Sequence, residues 1–423
     1  MVLCMGGNED TARLGACTVV IIGGGPAGLF CALQAAGEGR RVLVLEKNAT
    51  CGRKLLITGT GQCNLTNAGD IGDFFSHYGD HGSFLRPSLR GFTNRDLLAF
   101  FKARGLSTTT ESGGKVFPAS RKAQDVLAVL LSACRERGVM IRTSEPVRSV
   151  AAGDGRFVIV SQEAVYPACC CVIATGGVTF PGTGSTGDGY AFAAGLGHSV
   201  TEPAPALAAV TVVDYPFADC AGTSFENLPV SLYRDGRKIR QQTGDLLLTH
   251  YGLSGPAVLH LSRYVREGDV LAVAFLPGRD PAELHRELTE KIAARGQRQV
   301  RTLLLEFGLS ERFVRRLLEI TGISPDRTGA HLSRAERAAL VAGLIRHPFT
   351  VAGLGGLNEA MVTAGGVALD AINPKTMESR HFPGLFFIGE VLDIDGDTGG
   401  YNLQAAFSTA AAAARRIAVL CGG

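Results

Sequence analysis

Three glycines near the start of the chain have the spacing of a phosphate-binding turn. Gly23, Gly25 and Gly28 form the pattern GxGxxG between the apolar run Thr18–Ile22 and an alanine-rich segment that begins at Pro26. Such a turn lets backbone approach a pyrophosphate, whose charge is stabilised by the free N–H groups and the dipole at the helix N-terminus. The pattern therefore predicts a dinucleotide site.

Glu46 supplies a second chemical signal. It closes another apolar segment 18 residues after Gly28, and an acid about 20 residues beyond the turn typically binds ribose hydroxyls. The uncharged, β-branched run Thr18–Ile22 is typical of a strand buried on both faces of a parallel sheet. A glycine turn alone is weak evidence, but strand, helix, second strand and terminal acid together favour the dinucleotide site over a structural turn.

The segment CGRKLLITGTGQCNLTNAG, residues 51–69, combines closely spaced glycines with Arg53 and Lys54. Glycines permit close backbone approach and the two cations can bind phosphate, so the segment is predicted to form a cofactor wall. An ordinary surface loop with asparagine turns is the alternative. Cys63 has no partner cysteine in the loop, so a redox disulfide is not expected.

The elements that follow are predicted from periodicity and turn residues. We expect helices over 95–104, capped by Asn94, and over 123–137, with a hairpin at 108–120. A strand at 139–143, an antiparallel excursion at 146–166 and a buried strand at 170–175 come next. The last strand ends in ATGG, at the edge where open α/β sheets bind ligands. This order is typical of the flavoprotein version of the dinucleotide fold.

The character of the sequence changes near residue 199. Proline-punctuated, strand-like pieces to about residue 248 predict an inserted β-rich domain, and residues 249–265 predict a turn and a helix capped by Ser254. Residues 281–345 are charged and helical, typical of a solvated bundle. Glycine-rich sequence returns at 362, and a buried strand at 385–388 precedes a long alanine-rich helix that begins near Tyr401.

Composition bounds the function. With 423 residues, 46% of them hydrophobic, and a net charge of +3, the chain predicts an α/β protein of about two or three domains. No dense Lys/Arg run appears, so neither nucleic acid nor a membrane surface is the expected partner. The 11 cysteines are scattered, which favours reduced thiols, and Cys169–Cys171 lack metal-ligand spacing. Residues 1–17 are interpreted as a frayed leader, and the absence of a signal or transmembrane segment predicts a cytoplasmic location.

The motifs resemble those of the YhiN/BaiN-like FAD-dependent oxidoreductases, also described as aminoacetone-oxidase-like flavoproteins. The matching stretches cover nearly the whole chain: GGGPAG at 23–28, GRKLLITGTGQCN at 52–64, KVFPASRKAQDVL at 115–127, ATGGVTFPGTGSTGDGY at 174–190, LLLTHYGLSGPAVL at 246–259, AMVTAGGVAL at 360–369, KTMESR at 375–380 and GEVLDIDGDTGGYNLQAA at 389–406. The family loop usually reads GRKLLISGGGRCN. This chain departs from it at Thr58, Thr60 and Gln62, and therefore lacks one charge near the flavin or substrate.

The resemblance implies an α/β fold: a Rossmann-like, two-dinucleotide-binding FAD domain with an inserted β-rich domain and a small helical domain. The implied division places the FAD domain at 18–198 and 363–423, the β-rich insertion at 199–280 and 346–362, and the helical subdomain at 281–345. The inserted region is expected to carry substrate specificity.

The resemblance also implies site residues. Gly23–Gly28 would hold the pyrophosphate and Glu46 the adenosine ribose, while Arg53, Lys54, Gly61, Cys63 and Asn64 would line the loop beside the flavin. Gly389, Glu390, Asp393, Gly400, Tyr401, Asn402, Leu403 and Gln404 would meet the ribityl chain and isoalloxazine. Further cofactor contacts are predicted at Pro26, Ala27, Lys47, Val147, Thr175, Gly176 and Gly177.

The preferred function is an FAD oxidoreductase that takes hydride from NAD(P)H and reduces an organic small molecule, such as an enone or another activated C=C bond. No second dinucleotide motif appears, so the nicotinamide would bind transiently. A flavin amine oxidase that uses O2 and a flavin-bound RNA-modifying or scaffold protein are the alternatives. His250 and Tyr251 are candidates for substrate contact or proton transfer, or else form a turn that positions the next helix. No metal site is predicted, and the oligomeric state stays open.

Overall fold

The computed structural model describes residues 18–422, so the interpretation of residues 1–17 as a leader lies outside the described residues. Two compact units are present, one built from residues up to Ala204 and from Met361 onward, the other from Pro205–Ala360. No helix between residues 18 and 422 combines the length and hydropathy needed to cross a bilayer.

The first stretch of the chain, residues 18–206, contains eleven strands and six α-helices. It belongs to the first unit except for Pro205 and Ala206, which end its last strand. The strands are β1 Thr18–Ile22, β2 Arg41–Leu45, β3 Thr66–Asn67, β4 Thr108–Thr110, β5 Lys115–Pro118, β6 Met140–Arg142, β7 Val147–Gly153, β8 Arg156–Ser161, β9 Val165–Ala168, β10 Cys170–Ile173 and β11 Val200–Ala206. The helices are α1 Pro26–Ala35, α2 Arg53–Ile57, α3 Gly82–Gly91, α4 Asn94–Lys102, α5 Ala123–Glu136 and α6 Asp188–Gly195.

The second unit follows, and the chain then returns to the first unit. The strands of the second unit are β12 Val210–Val212, β13 Ser224–Arg234, β14 Arg237–Leu248, β15 Gly252–Ser254, β16 Val270–Val273 and β17 His347–Leu354; its helices are α7 Pro256–Leu261, α8 Pro281–Arg295, α9 Val300–Leu305, α10 Glu311–Ile320 and α11 Arg334–Ile345. The returning segment contributes β18 Val362–Val367, β19 Leu385–Phe387 and α12 Tyr401–Leu420.

The first unit is organised around a parallel sheet with the strand order β19-β10-β1-β2-β6. Strand β1 lies at its centre, pairs in parallel with β2 and β10, and is buried throughout. Helix α1 packs on α12, where the rings of Phe30 and Phe407 lie 5.2 Å apart. The antiparallel meander β7-β8-β9, the small sheet β3-β5-β4 and the two-stranded sheet β11-β18 contain the other strands of the first stretch. The predicted α/β class with a Rossmann-type sheet is confirmed.

The second unit is built on a closed barrel with the strand order β12-β15-β14-β13-β16-β17. An aromatic cluster of Phe217, Phe275, Phe313 and Phe349 fills its core. Helices α8–α11 are more than a solvated bundle, because their apolar faces bury leucines in the same core as the barrel. Charge alternation along the sequence marks only the outer faces of these helices.

Two predicted helix caps are wrong. Helix α4 is capped by Thr93, which forms a capping box with Asp96, while the Asn94 side chain donates to the carbonyl oxygens of Asn67 and Gly69. Helix α7 begins after Gly255, which has φ +91° and no side chain, and Ser254 belongs to β15. In α4 a tertiary contact engages the side chain that local propensity predicts as the cap, and in α7 the turn before the helix places a glycine at the cap position.

None of the nine cysteines within residues 18–422 forms a disulfide, and Cys170 and Cys171 are buried in β10. No group of three or more His, Cys, Asp or Glu side chains in this described range could hold a metal ion.

Candidate active site

A cavity lies along the carboxyl ends of the parallel strands in the first unit. Residues that follow β1, β2, β10 and β19 line it together with the first turns of α1 and α12. It encloses about 1390 Å³, including space that is open to solvent. This is the edge of an open α/β sheet where ligands bind.

The three glycines of the turn serve different neighbours. A Cβ on Gly28 would lie 2.0 Å from the Gly23 carbonyl oxygen, and one on Gly23, at φ +110°, would lie 2.4 Å from that of Ala174. A Cβ on Gly25 meets no protein atom within 4 Å, although Gly25 lines the cavity. Gly23 and Gly28 thus serve packing, whereas Gly25 keeps space free at the N-terminus of α1, where a pyrophosphate fits.

The carboxylate of Glu46 is held rigidly at the end of β2. Its Oε2 accepts from the Gly24 amide at 2.8 Å, and its Oε1 accepts from the backbone and side-chain nitrogens of Asn48 at 2.8 and 2.7 Å. Burial, and secondarily the charge of Glu46, raises the pKa of the neighbouring Cys51 thiol to about 11. Glu46 is therefore an ordered, buried acceptor in the cavity wall, as binding of ribose hydroxyls requires.

A second charged group forms where α2 approaches the end of β19. The Lys54 ammonium donates to both carboxylate oxygens of Glu390, at 2.9 and 2.8 Å, and to Thr179 Oγ1 at 2.7 Å. Glu390 also accepts from the Thr363 amide at 2.9 Å. These contacts fix a lysine in the cavity wall with all three of its protons directed at defined oxygens.

The loop after α2 has unusual backbone geometry. Gly59, Thr60, Gly61 and Cys63 all have positive φ, between +55° and +86°. Cys63 is fully buried, and burial raises the pKa of its thiol to about 12. A thiol of this kind stays protonated and is a poor nucleophile. Thr58 is the member of this loop that lines the cavity.

The long helix α12 begins beside the cavity, and Asn402 and Leu403 in its first turn line the wall. Tyr401 instead stacks on His77, with ring centroids 3.9 Å apart, and Gln404 is buried in a hydrogen bond with Thr66. A Cβ on Gly400, at φ +94°, would lie 2.3 Å from the carbonyl carbon of Thr66. Packing against β3 therefore requires glycine at 400.

The predicted cofactor residues divide into two groups. The cavity is lined by Gly23, Gly25, Pro26, Ala27, Glu46, Lys47, Arg53, Lys54, Val147, Thr175, Gly176, Gly389, Glu390, Asn402 and Leu403. The wall does not include Gly28, Gly61, Cys63, Asn64, Gly177, Asp393, Gly400, Tyr401 or Gln404.

Several polar wall residues have no signal of their own in the sequence. Asn48 orients Glu46, Asp188 pairs with Lys47 at 2.6 Å, and Glu145 follows β6. Asn48 lies two residues from Glu46, and Asp188 lies in the glycine-rich stretch at 174–190. Glu145 comes from a distant segment, brought to Glu46 by the pairing of β2 with β6. Only the rule that ligands bind at carboxyl strand ends would have pointed to Glu145.

His250 and Tyr251 lie in the second unit, in the turn between β14 and β15. The Tyr251 side chain is 77% exposed, and its carbonyl oxygen accepts from the Val212 amide at 3.0 Å. The turn thus has a structural contact with the barrel. A catalytic role for the two side chains stays a prediction.

Comparison with known proteins identifies the family. The model of the HI0933-like protein Rossmann domain matches residues 17–416. The chain belongs to the HI0933-like family. This family of FAD-dependent oxidoreductases agrees with the resemblance drawn from the motifs, and the predicted enzyme class is confirmed.

Three curated relatives of this HI0933-like protein are similar over nearly their whole length. A 3-dehydro-bile acid delta(4,6)-reductase of Clostridium scindens is 33% identical over 94% of this chain and 98% of its own. Ribosomal RNA dihydrouridine synthases of Escherichia coli and Haemophilus influenzae are 32% and 33% identical, over 94% of this chain and 96% and 98% of theirs.

Proposed function

We propose that this HI0933-like protein is an FAD-dependent reductase of a carbon–carbon double bond conjugated to a carbonyl group. The observation that carries the proposal is the chemistry common to its relatives. A delta(4,6)-reductase of a 3-dehydro steroid and a dihydrouridine synthase both saturate such a bond, in an enone and in a uracil ring. The substrates differ greatly in size and charge, while the reaction class is the same.

The cavity supports FAD as the cofactor. The space kept free at Gly25 fits the pyrophosphate, and the ordered Glu46 carboxylate accepts from ribose hydroxyls. When bound, FAD supplies the hydride acceptor and donor of the reaction. Lys54 lies in the same wall as an ion pair with Glu390 and also donates to Thr179, so this group gives the wall a fixed polar contact without net charge.

NAD(P)H is proposed as the electron donor, bound transiently. The test is an anaerobic titration of the purified protein with NADH and NADPH, followed by addition of an enone. We expect the flavin absorbance to bleach and then to recover as the enone is consumed. A flavin that only an amine bleaches, and that reoxidises rapidly in air with release of peroxide, would replace this proposal with the amine oxidase.

Uridine in RNA is a second candidate substrate, which two relatives favour. The net charge of the chain argued against nucleic acid, but the β13–β14 hairpin presents a local basic surface. Arg237, Lys238 and Arg240 are exposed, and no carboxylate within residues 18–422 pairs with them. Arg240 lies 3.9 Å above the Tyr264 ring. Cations interleaved with an aromatic ring are typical of RNA-binding surfaces.

A further inference from the structure

Glu145 lines a part of the cavity that does not belong to the glycine turn. The sheet order β10-β1-β2-β6 places the glycine turn after β1, Glu46 after β2 and Glu145 after β6. The Glu145 amide donates to the Glu46 carbonyl oxygen at 2.9 Å, and both side chains line the cavity. A dinucleotide with its pyrophosphate at Gly25 and its ribose at Glu46 therefore directs its next group, the base, toward Glu145.

The Glu145 carboxylate is buried and only half satisfied by the protein. The residue is 6% exposed, and its Oε1 accepts from the hydroxyls of Ser161 and Tyr166, the latter at 3.2 Å. Arg142 donates to the Tyr166 hydroxyl and stabilises this arrangement. No donor within residues 18–422 reaches Oε2. Because Glu145 lines the cavity, Oε2 is placed to accept a hydrogen bond from a ligand bound there.

We propose that Glu145 recognises the adenine of FAD by accepting a hydrogen bond from its exocyclic amino group. An ionised carboxylate can only accept hydrogen bonds, and the exocyclic amine is the N–H donor that adenine offers when joined to ribose. Val147, two residues further on, also lines this end of the cavity. The inference rests on FAD as the proposed cofactor and makes Glu145 the residue that selects the base.

The test compares FAD with its purine analogue, in which a hydrogen atom replaces the amine and the base offers no N–H donor. The purified flavoprotein is equilibrated with an excess of both dinucleotides in equal amounts, and the bound flavin is released and quantified by mass spectrometry. A carboxylate facing a C–H group has no hydrogen bond to accept, so we expect the wild-type protein to favour FAD by about tenfold or more. Preference for FAD should fall in Glu145→Gln, because the neutral amide oxygen accepts a weaker hydrogen bond from the amine than the carboxylate does.

Glu46→Gln is the matched control, since Glu46 is also a buried carboxylate in the wall but faces the ribose that both dinucleotides share. It should weaken both alike and leave the preference for FAD unchanged. Equal binding of the two dinucleotides by the wild-type protein, which needs no variant to fold, would overturn the inference, as would an undiminished preference in Glu145→Gln. A protein that binds FAD with this preference but reduces no enone would refute the proposed reaction and leave the role of Glu145 standing.

Discussion

Gly25 and Glu46 separate the structural from the binding roles of the first motif. The turn needs glycine at 23 and 28 for its own packing, whereas the backbone of Gly25, at φ −78°, is open to any residue. A side chain at 25 would project into space that no protein atom occupies. Loss of the cofactor can therefore be separated from loss of the fold at this position.

We predict that Gly25→Val abolishes flavin binding while the protein remains folded, and that Glu46→Ala weakens it less. The valine side chain occupies the pyrophosphate space, whereas loss of Glu46 removes charge-assisted hydrogen bonds worth about 1.5–3 kcal/mol. Flavin occupancy by absorbance and folding by circular dichroism check this. Gly153→Val is the matched control, because its Cβ also meets no atom within 4 Å. Full occupancy in Gly25→Val would contradict the assignment.

Thr60 is a departure from the family loop that the structure explains in energetic terms. The family has glycine at this position, and Thr60 adopts φ +55° and ψ +39°, a conformation that costs a β-branched residue about 1–2 kcal/mol. We predict that Thr60→Gly raises the free energy of unfolding by up to about 1 kcal/mol, after the greater backbone entropy of glycine is deducted. Urea unfolding measures it, and Thr60→Ala should gain less because it keeps the Cβ.

At this scale the sequence identifies residues that belong to a local motif. Gly25 and Glu46 are predicted because spacing along the chain encodes their roles. Glu145 is not, because its proximity to Glu46 arises from pairing of strands far apart in sequence. Packing against β3 requires glycine at 400, and the sequence does not reveal that β3 lies against it.

Helix α12 is the element through which the fold would act on flavin chemistry. Reduced flavin carries negative charge, and the N-terminus of a helix supplies unpaired N–H groups and about half a positive charge. The structure changes how this is tested. Gly400→Val would collide with the Thr66 backbone and disrupt the fold, so it does not report on the cofactor.

We predict instead that Leu403→Asp lowers the flavin midpoint potential. Leu403 lines the cavity in the first turn of α12. A carboxylate there offsets the partial positive charge of the helix N-terminus and so disfavours negative charge on the flavin. Spectroelectrochemical titration measures the potential. Leu403→Asn is the control, since asparagine has nearly the same shape as aspartate but carries no charge. The same shift in both variants would exclude the helix electrostatics as its cause.

Strand β17 gives the second unit a defined response to acid. His347 is packed among Phe217, Phe275 and Phe349, and burial lowers its pKa to about 4. Between pH 6.5 and 4 the unfolded chain binds a proton at this residue that the folded chain does not. The free energy of unfolding therefore falls as pH falls through this range, by at most about 3 kcal/mol.

We predict that His347→Phe flattens this pH dependence without loss of the fold. Phenylalanine suits the aromatic cluster and carries no proton, so the unfolding free energy at pH 4.5 should approach that at pH 7. Urea unfolding at several pH values gives the slope of the unfolding free energy against pH. Where more than one unfolding transition occurs, each is analysed separately. The same substitution at the exposed His331 should leave the slope unchanged, and an unaltered slope in His347→Phe would contradict the assignment.

Element types were predictable where one apolar face repeats, as in α5, or where a run is buried on both faces, as in β1. The closed barrel was not, because closure depends on pairing β12 with β17, strands separated by more than 130 residues. Hydrophobic periodicity reports which face of an element is buried, not which element buries it. The predicted caps of α4 and α7 are wrong for the same reason, because tertiary contacts determine which of several suitable residues caps a helix.

At the scale of the whole molecule, net charge proved a poor guide to local surfaces. A value of +3 over 423 residues averages over the exposed cations that β14 presents together. The outer part of β14 pairs with β13 alone, since β15 reaches only Leu247 and Leu248. Lysine and arginine on such an edge also discourage aggregation, so the charge itself does not decide between a protected edge and an RNA-binding surface.

Substitution of Arg237, Lys238 and Arg240 by glutamate distinguishes an RNA-binding surface from a protected edge. If uridine in RNA is the substrate, the triple variant should bind a uridine-containing RNA hairpin more weakly, with a smaller dependence on salt because about three phosphate contacts are lost. Reduction of RNA should then fall while reduction of a small enone is unchanged. Reversal of Arg135, Arg137 and Arg148, also exposed, is the control for total charge. Equal RNA binding by both triple variants would leave the small molecule as substrate and β14 as a protected edge.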